Sequence, residues 1–410
     1  MIKKISFKKF SIAVLICAVI FAAGFGIGVV RAQDDLDAKL DVFVQALDIV
    51  RNSYVEKHLD STKMVYGAIR GMLTGLGDPY TRFLEPSAYK EMKIRMEGSY
   101  GGIGIYIGMK DDHLIVIAPI AGTPADKVGL KANDHIVSID GKPTMDLSLE
   151  EAVAKIRGPR GTKVTLGIVR GNNGGKPKDY EIPREKIEIK SVEKAMLPDQ
   201  LIYIKLNTFE RQDADWELKK ALKFGQSQHA KGLVLDLRNN GGGLLQNAID
   251  IGSMFIKSGT IVSIVDRDGN KDDVPSTGKL VWTGPMVVLI NGGSASASEI
   301  LAGALRDTHI ATLVGERSFG KASVQNVRVL SDGSCLLVTI AKYRTPDGED
   351  IMKKGIMPDV EVKITTKEAE TLEMKGDSPA PAKDRQLKKA IDVLEDVISG
   401  KSPIDKKEDK

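Results

Sequence analysis

Apolar residues recur at intervals of three and four near the start of the chain. Leu36, Leu40, Phe43, Val44, Leu47 and Val50 share one side of a helix. A second helical pattern over 64–76 stops at Gly77-Asp78-Pro79, because glycine and proline both end a helix. Residues 34–95 are thus helical in character, a segment for packing or assembly rather than chemistry. The period then shortens. From 98 to 189, short runs alternate with glycine turns: Tyr100-Gly101-Gly102-Ile103-Gly104-Ile105 leads into a strand, and 114–117 makes another. A strand over 136–139 ends at the Asp140-Gly141 turn, and one over 164–169 precedes a Gly/Asn/Lys-rich turn at 171–178. Ser148 and Glu151 form a capping box, opening a helix whose apolar face is Leu149, Ala152, Val153 and Ile156.

Past residue 190 the pattern changes again. A continuous apolar strand over 233–237 runs into Arg238-Asn239-Asn240-Gly241-Gly242-Gly243, followed by helical spacing from 244 to 256. A second such strand, 286–290, runs into Asn291-Gly292-Gly293-Ser294-Ala295-Ser296 and a helix of small residues through Leu305. Buried strand, glycine loop, helix: the unit occurs twice. It predicts an α/β domain with both loops at the carboxyl edge of a mostly parallel sheet. A loop over 317–322, a Ser331-Asp332-Gly333 hairpin and a Pro346-Asp347-Gly348 turn follow. Residues 374–384 read as a linker. Leu387, Ala390, Ile391, Leu394, Val397 and Ile398 then form one face of a terminal helix that packs on its own or a sister chain.

A length of 410 residues allows two to four domains. With 59 basic against 55 acidic residues and 5% aromatics, neither a phosphate-backbone binder nor a base-stacking platform is expected, so nucleic acid is excluded as a partner. Two cysteines and five scattered histidines exclude a zinc module, and no metal or other cofactor is expected. Four lysines (Lys3, Lys4, Lys8, Lys9), the uncharged stretch 10–30, and Asp34, Asp35 and Asp37 form the profile of a secretion signal over 1–32. It is either cleaved before Gln33 or kept as a membrane anchor through residues 10–30. Both outcomes put the rest of the chain in the cell envelope, in the periplasm or on the outer face of the inner membrane. Cys17 lacks a small residue before it, which argues against lipid modification, and Cys335 would be a small apolar strand residue.

Ser294, Ser296 and Ser298 crowd one strand-to-helix turn. Such serines commonly cap helices. A nucleophile would also need a base, an oxyanion hole and an orienting partner. His309 with Asp307 offers one base. Lys321, in Ser318-Phe319-Gly320-Lys321-Ala322, offers another, since burial lowers a lysine pKa, and Gln325 four residues on could hydrogen-bond the amine.

Two resemblances sharpen this picture. Gly102-Ile103-Gly104-Ile105, Pro124-Ala125 with Gly129-Leu130, Asn133-Asp134 and Ile139-Asp140-Gly141 resemble a PDZ domain, over 97–187. That implies a peptide added as a strand, its terminal carboxylate held by backbone N–H groups of the Gly102–Ile105 loop. Arg157, at the end of the capped helix, is a solvated residue, a carboxylate reader or a contact to the neighbouring domain. Gly293-Ser294-Ala295-Ser296-Ala297-Ser298-Glu299, Phe319-Gly320-Lys321 with Gln325, Asp236-Leu237-Arg238-Asn239-Asn240 with Gly242-Gly243, and Gly355-Ile356-Met357-Pro358-Asp359 resemble the carboxy-terminal processing proteases. Upstream Gly77-Asp78-Pro79-Tyr80 fits too, and the likeness covers about 40 to 365.

The resemblance implies an α/β multidomain chain. A ClpP/crotonase-like catalytic domain (188–366) carries the inserted PDZ domain, with helical regions at 33–96 and 367–410. It implies Ser296 as nucleophile, Lys321 as general base and Gln325 as orienting residue. The N–H groups of Ala297 and of Gly242 or Gly243 would form the oxyanion hole. Ser294 and Ser298 become neighbours, Glu299 and Asp307 supports, Arg238 a brace for the glycine loop, and His309 structural. The family often has proline or serine at Gly241 and glycine at Ala322. The implied activity is a serine endopeptidase cutting proteins or peptides with free carboxyl termini, with an activator or adaptor protein as a candidate partner. Apart from the resemblance, both terminal helical regions are candidates for a homodimer contact. The rivals are a non-catalytic PDZ scaffold and an acyl-thioester enzyme.

Overall fold

The computed structural model describes residues 36–110, 113–170, 176–365, 367–369, 379 and 381–401. The expected signal segment, Cys17, residues 171–175 of the glycine-rich turn and most of the 374–384 linker lie outside them. Among the described residues no helix is long and apolar enough to cross a membrane.

The chain divides after Met72 into two compact units. In the first, helix α1 covers 36–53, and Leu36, Leu40, Phe43, Val44 and Val50 are all exposed. Helix α2 (Ser61–Thr74) starts three residues before the predicted point.

The second unit opens with a departure from expectation. Strand β1 (Arg82–Leu84) interrupts the supposedly all-helical segment before α3 (Pro86–Glu97). It is too short for alternation to be visible, yet it pairs with a distant strand described below and buries Phe83. The glycine-turn region follows as strands β2 (Ser99–Gly102), β3 (Ile105–Lys110), β4 (His113–Pro119), β5 (His135–Ile139), β6 (Lys142–Pro143), β7 (Lys163–Val169), β8 (Lys178–Pro183) and β9 (Glu185–Glu188). The sheet order is β3-β4-β5-β7-β8, with β6 on β5 and a separate β2-β9 pair. Helices α4 (Pro124–Lys127) and α5 (Leu149–Ile156) close it. The predicted capping box at Ser148 is formed, with Glu151 N–H donating to Ser148 Oγ at 3.2 Å and Ser148 N–H to Glu151 Oε2 at 2.8 Å.

The catalytic-type domain contains β10 (Val192–Leu197), β11 (Leu201–Leu206), α6 (Ala214–Ser227), β12 (Gly232–Asp236), α7 (Leu245–Gly252), β13 (Thr260–Asp266) and β14 (Lys271–Pro275). It continues with β15 (Met286–Ile290), α8 (Ala297–Asp307), β16 (Thr312–Gly315), β17 (Ser323–Val329), β18 (Cys335–Arg344) and β19 (Val360–Glu361). The last helix, α9, spans Arg385–Ile398. The main sheet runs β10-β11-β12-β15-β16-β19 and is parallel from β11 onward. The two predicted strands are adjacent, with Leu233 opposite Met286, so their loops share one edge. Their apolar runs are continuous because both faces are covered. Leu233 and Leu235 face the core under α6, α7 and α8, while Val234, Val287, Leu289 and Val314 face Leu387, Ala390, Val393 and Leu394 of α9. Each such leucine contributes about 2 kcal/mol of burial. The terminal helix thus packs on its own chain. A second sheet, β1-β18-β13-β14 with β17 on β18, flanks the loop edge.

Candidate active site

The loop after β12 and the loop after β15 are stitched together side by side. Asn239 and Asn291 exchange two hydrogen bonds, at 2.9 and 2.8 Å. Ser294 Oγ donates to Leu237 C=O at 2.8 Å, and Ser298 Oγ donates to Asn240 C=O at 2.8 Å. Both hydroxyls are buried and committed to holding loops. Ser296 differs. It is half-buried, and among the described residues its hydroxyl donates to no protein acceptor. Its backbone stands at φ 57°, ψ −116° at the start of α8, a region that costs a non-glycine residue on the order of 1–3 kcal/mol. Such a strained strand-to-helix turn pushes the side chain of its apex residue outward.

Two peptide N–H groups beside Ser296 have no acceptor among the described residues, those of Ala297 and Gly243. Ala297 is the first residue of α8, where an N–H is unpaired by construction and points out of the positive helix end. The Gly242 N–H is already taken by Asn240 Oδ1 at 2.9 Å. Gly242 matters for another reason. At φ 93°, a Cβ there would lie 2.7 Å from the Ala297 nitrogen and 2.9 Å from Ser296 Cβ, filling the space between the two loops.

Glu299 is fully buried, and its carboxylate gathers the site. It accepts from Ser296 N–H (2.9 Å), Ser318 Oγ (2.5 Å), Gly320 N–H (2.7 Å) and Lys321 N–H (2.9 Å). One carboxylate therefore fixes the serine turn and the lysine loop together, in keeping with the expected support of the helix and nearby loops. Tyr343, on β18, adds a second tie. Its buried hydroxyl lies within hydrogen-bond reach of Ser296 C=O (3.0 Å) and of Lys321 C=O, closer still. The Gly355–Asp359 string braces the same loop from outside. Ser318 N–H donates to Ile356 C=O at 3.0 Å, Ile356 N–H donates to Ser318 Oγ at 2.7 Å, and a Cβ at Gly355 would collide with Ser318.

Lys321 is partly buried, and its pKa is lowered, chiefly by loss of water and further by Arg82 of β1, against the opposing pull of Asp78 and Glu299. Its Nζ stands 5.1 Å from the centre of the Tyr80 ring. Tyr80 is held there because Asp78 accepts from Tyr80 N–H (3.0 Å) and from Thr81 Oγ1 (2.6 Å), while Thr81 Oγ1 accepts from Thr339 N–H at 3.0 Å. The Gly77–Tyr80 string thus reaches the lysine, a role its local sequence does not announce. No hydrogen bond joins Ser296 Oγ to Lys321 Nζ in this arrangement. Gln325 sits beyond a bulge in β17, and its amide donates to Ser323 Oγ (2.7 Å) and Thr339 Oγ1 (3.3 Å) rather than meeting Lys321. Asp307 pairs with Arg306 and accepts from Asp347 N–H; His309 lies exposed in the turn between α8 and β16.

In the glycine-turn domain, a groove between β3 and α5 is lined by Gly102, Ile103, Gly104, Ile105, Val153 and Ile156. Among the described residues the N–H groups of Ile103 and Gly104 have no acceptor. Gly104 has φ 78°, and a Cβ there would lie 2.4 Å from Thr123. Arg157 is not a solvated helix end. Its guanidinium stacks 4.2 Å over Tyr100, pairs with Glu91 of α3 and lines the groove.

Comparison with known proteins is consistent along the chain. The family model for peptidase family S41 matches residues 200–362, that for a PDZ domain matches 115–170, and that for the activating protease CtpB N-terminal domain matches 29–88. A carboxyl-terminal-processing protease of Synechocystis is 42% identical over 76% of this chain and 74% of its own. The carboxy-terminal processing protease CtpA of Bacillus subtilis is 37% identical, over 80% and 70%. Among solved structures, a putative S41 protease from Bacteroides fragilis superposes with TM-score 0.52 at 16% identity, covering 86% of this chain and 96% of that one, a likeness of fold.

Proposed function

Because the chain belongs to the carboxyl-terminal processing proteases of peptidase family S41, serine-type peptidases with a PDZ domain, we propose that Ser296 and Lys321 are its reacting pair. The observation that carries this reading is the hydroxyl of Ser296, the one of three clustered serines with no acceptor, set beside two unpaired N–H groups. A substrate tail enters the groove of the PDZ domain, with its carboxylate on the N–H groups of Ile103 and Gly104, and extends as a strand toward the glycine loops. Lys321, neutral, turns from Tyr80 to Ser296 and takes its proton as the oxygen attacks the scissile carbonyl. The N–H groups of Ala297 and Gly243 receive the charge on the carbonyl oxygen, and the lysine returns the proton to the leaving amine. Gln325 orients Lys321 once its amide leaves Ser323 and Thr339.

The enzyme works in the cell envelope, delivered by the basic and apolar start of the chain, and forms a dimer through its N-terminal helical region, where α1 carries an exposed apolar row. An activator or adaptor protein is a further partner of the N-terminal segment. The test is to incubate the protein with unfolded polypeptides bearing free or amidated apolar tails, and to read the new ends by mass spectrometry. Wild type cuts free-tailed chains, whereas Ser296→Ala and Lys321→Ala leave them intact with unchanged circular dichroism. Cleavage by Lys321→Ala would remove the lysine from the reaction, and equal cutting of both tails would remove the capture step. A scaffold without catalysis would show no new ends with wild type.

A further inference from the structure

The loop that carries Gly242 and Gly243 begins at Arg238, directly after Leu237 at the end of β12. The Arg238 guanidinium is gripped from two sides. Asp236 accepts from Nε at 3.0 Å and from Nη2 at 2.6 Å, and is itself bonded by Tyr203 OH at 2.8 Å. On the other side Asp384 accepts from Nη1 at 3.1 Å and from Nη2 at 2.8 Å. Asp384 does not belong to the catalytic strands. It is the N-cap of α9, accepting Leu387 N–H at 2.9 Å, and lies nearly 150 residues further along the chain. Two residues on, Gln386 accepts from Arg238 Nη1 at 3.1 Å and donates to Val362 C=O at 2.8 Å and to Glu316 at 3.4 Å. Glu316 directly follows β16, where the chain turns toward Ser318 and Lys321. Asp236, Asp384 and Gln386 are buried and Arg238 is nearly so, so these bonds are sheltered from water and ions.

We propose that Asp384 and Gln386, at the head of the terminal helix, are positioning residues for the reaction. They fix the glycine loop through Arg238 and the lysine loop through Glu316. The terminal helix is then a working part of the site rather than a passive cover. It would act on the transition state, because in the proposed site the unpaired Gly243 N–H receives charge that appears only there. This inference rests on the assignment of Ser296 and the glycine loop as the reacting site.

The test compares full-length Asp384→Asn, Leu394→Ala and Ser296→Ala with wild type on one free-tailed peptide, together with the thermal midpoint of each. Asparagine still caps α9 but removes the charge facing Arg238. Leu394 lies on the same helix, belongs to the apolar cluster between that helix and the sheet, and serves as the structural control. The expected result is a kcat lowered about fivefold or more in Asp384→Asn with KM unchanged, as for a lost transition-state contact. Leu394→Ala loses thermal stability yet keeps wild-type kcat while folded. A folded Asp384→Asn with kcat inside that fivefold margin overturns the proposal, as does an equal loss of kcat in folded Leu394→Ala. Should Asp384→Asn not fold, Gln386→Leu is judged by the same margin. Cleavage by Ser296→Ala would sink the underlying site assignment instead; an inactive Ser296→Ala beside a fully active Asp384→Asn sinks the strap alone.

Discussion

At the scale of single residues, the chemistry depends on how Lys321 is surrounded. Burial first, then Arg82, holds its pKa below the ordinary 10.5. In the proposed mechanism turnover needs the neutral amine, so kcat should rise with pH through a limb centred below that value. Replacing exposed Arg82 by glutamine removes a repelling charge, so the limb should move to higher pH, and a limb that stays in place would contradict the assignment of the base. The same shift ties stability to pH. The unfolded chain binds the extra proton between the folded pKa and 10.5, so the penalty for burying the charged lysine is present at neutral pH and relieved as pH rises through that window. Tyr343→Phe leaves the Ser296 and Lys321 carbonyls without their shared donor. It should lower kcat about tenfold with KM unchanged and cost about 1–3 kcal/mol in stability, read from steady-state kinetics and denaturant melts. Ser296 and Lys321 are singled out in the sequence by the family resemblance of the strings around them, since the local pattern alone leaves three serines and two bases open. Tyr343 is not, since its partners are 47 and 22 residues away and nothing in Lys342-Tyr343-Arg344 announces them. Glu299 is expected as a support for its helix and the nearby loops, and it does hold two of them together. Tyr80 was legible as part of a motif, but not as the ring beneath the lysine.

At the scale of elements, the glycine loops set the clearances. Gly242→Ala puts a methyl group 2.7 Å from the Ala297 nitrogen. It should cost about a hundredfold in kcat, as when one oxyanion donor is lost, with little change in tail binding. Gly104→Leu acts on the other partner of the reaction. Its side chain meets Thr123, so kcat/KM for free-tailed peptides should fall to the level of amidated ones while a short tail-independent peptide is cut as before. Loss of both activities together would place Gly104 in the fold rather than in capture. The two continuous apolar strands, the capping box at Ser148 and the helix after Ser296 were plain in the sequence, because buried parallel strands and capped helices leave strong local patterns. Strand β1 was missed. Three residues cannot display a period of two, and its place is decided by pairing with β18 more than 250 residues away.

At the scale of the whole molecule, domain order followed the motif order, while the boundaries did not isolate the working parts. The proposed site draws on Tyr80 and Arg82 from before the PDZ domain and, through the bond from Arg238, on Asp384 at the head of the last helix, besides the loops between. In the first unit, the row Leu36, Leu40, Phe43, Val44 and Val50 stands exposed on α1. Covering it with a second copy is the simplest way to keep such a stripe from water. Sedimentation equilibrium of the protein should give a dimer, and changing Leu40 and Phe43 to serine should give a monomer; a wild-type monomer would refute this assembly.

The account turns on a lysine that is uncharged when it works. Heteronuclear NMR of the Lys321 side-chain nitrogen, in the Ser296→Ala protein with a tail peptide bound, reads that charge directly. The account predicts a resonance that changes from ammonium to amine below pH 10.5. A nitrogen that remains an ammonium up to the ordinary lysine range would contradict it.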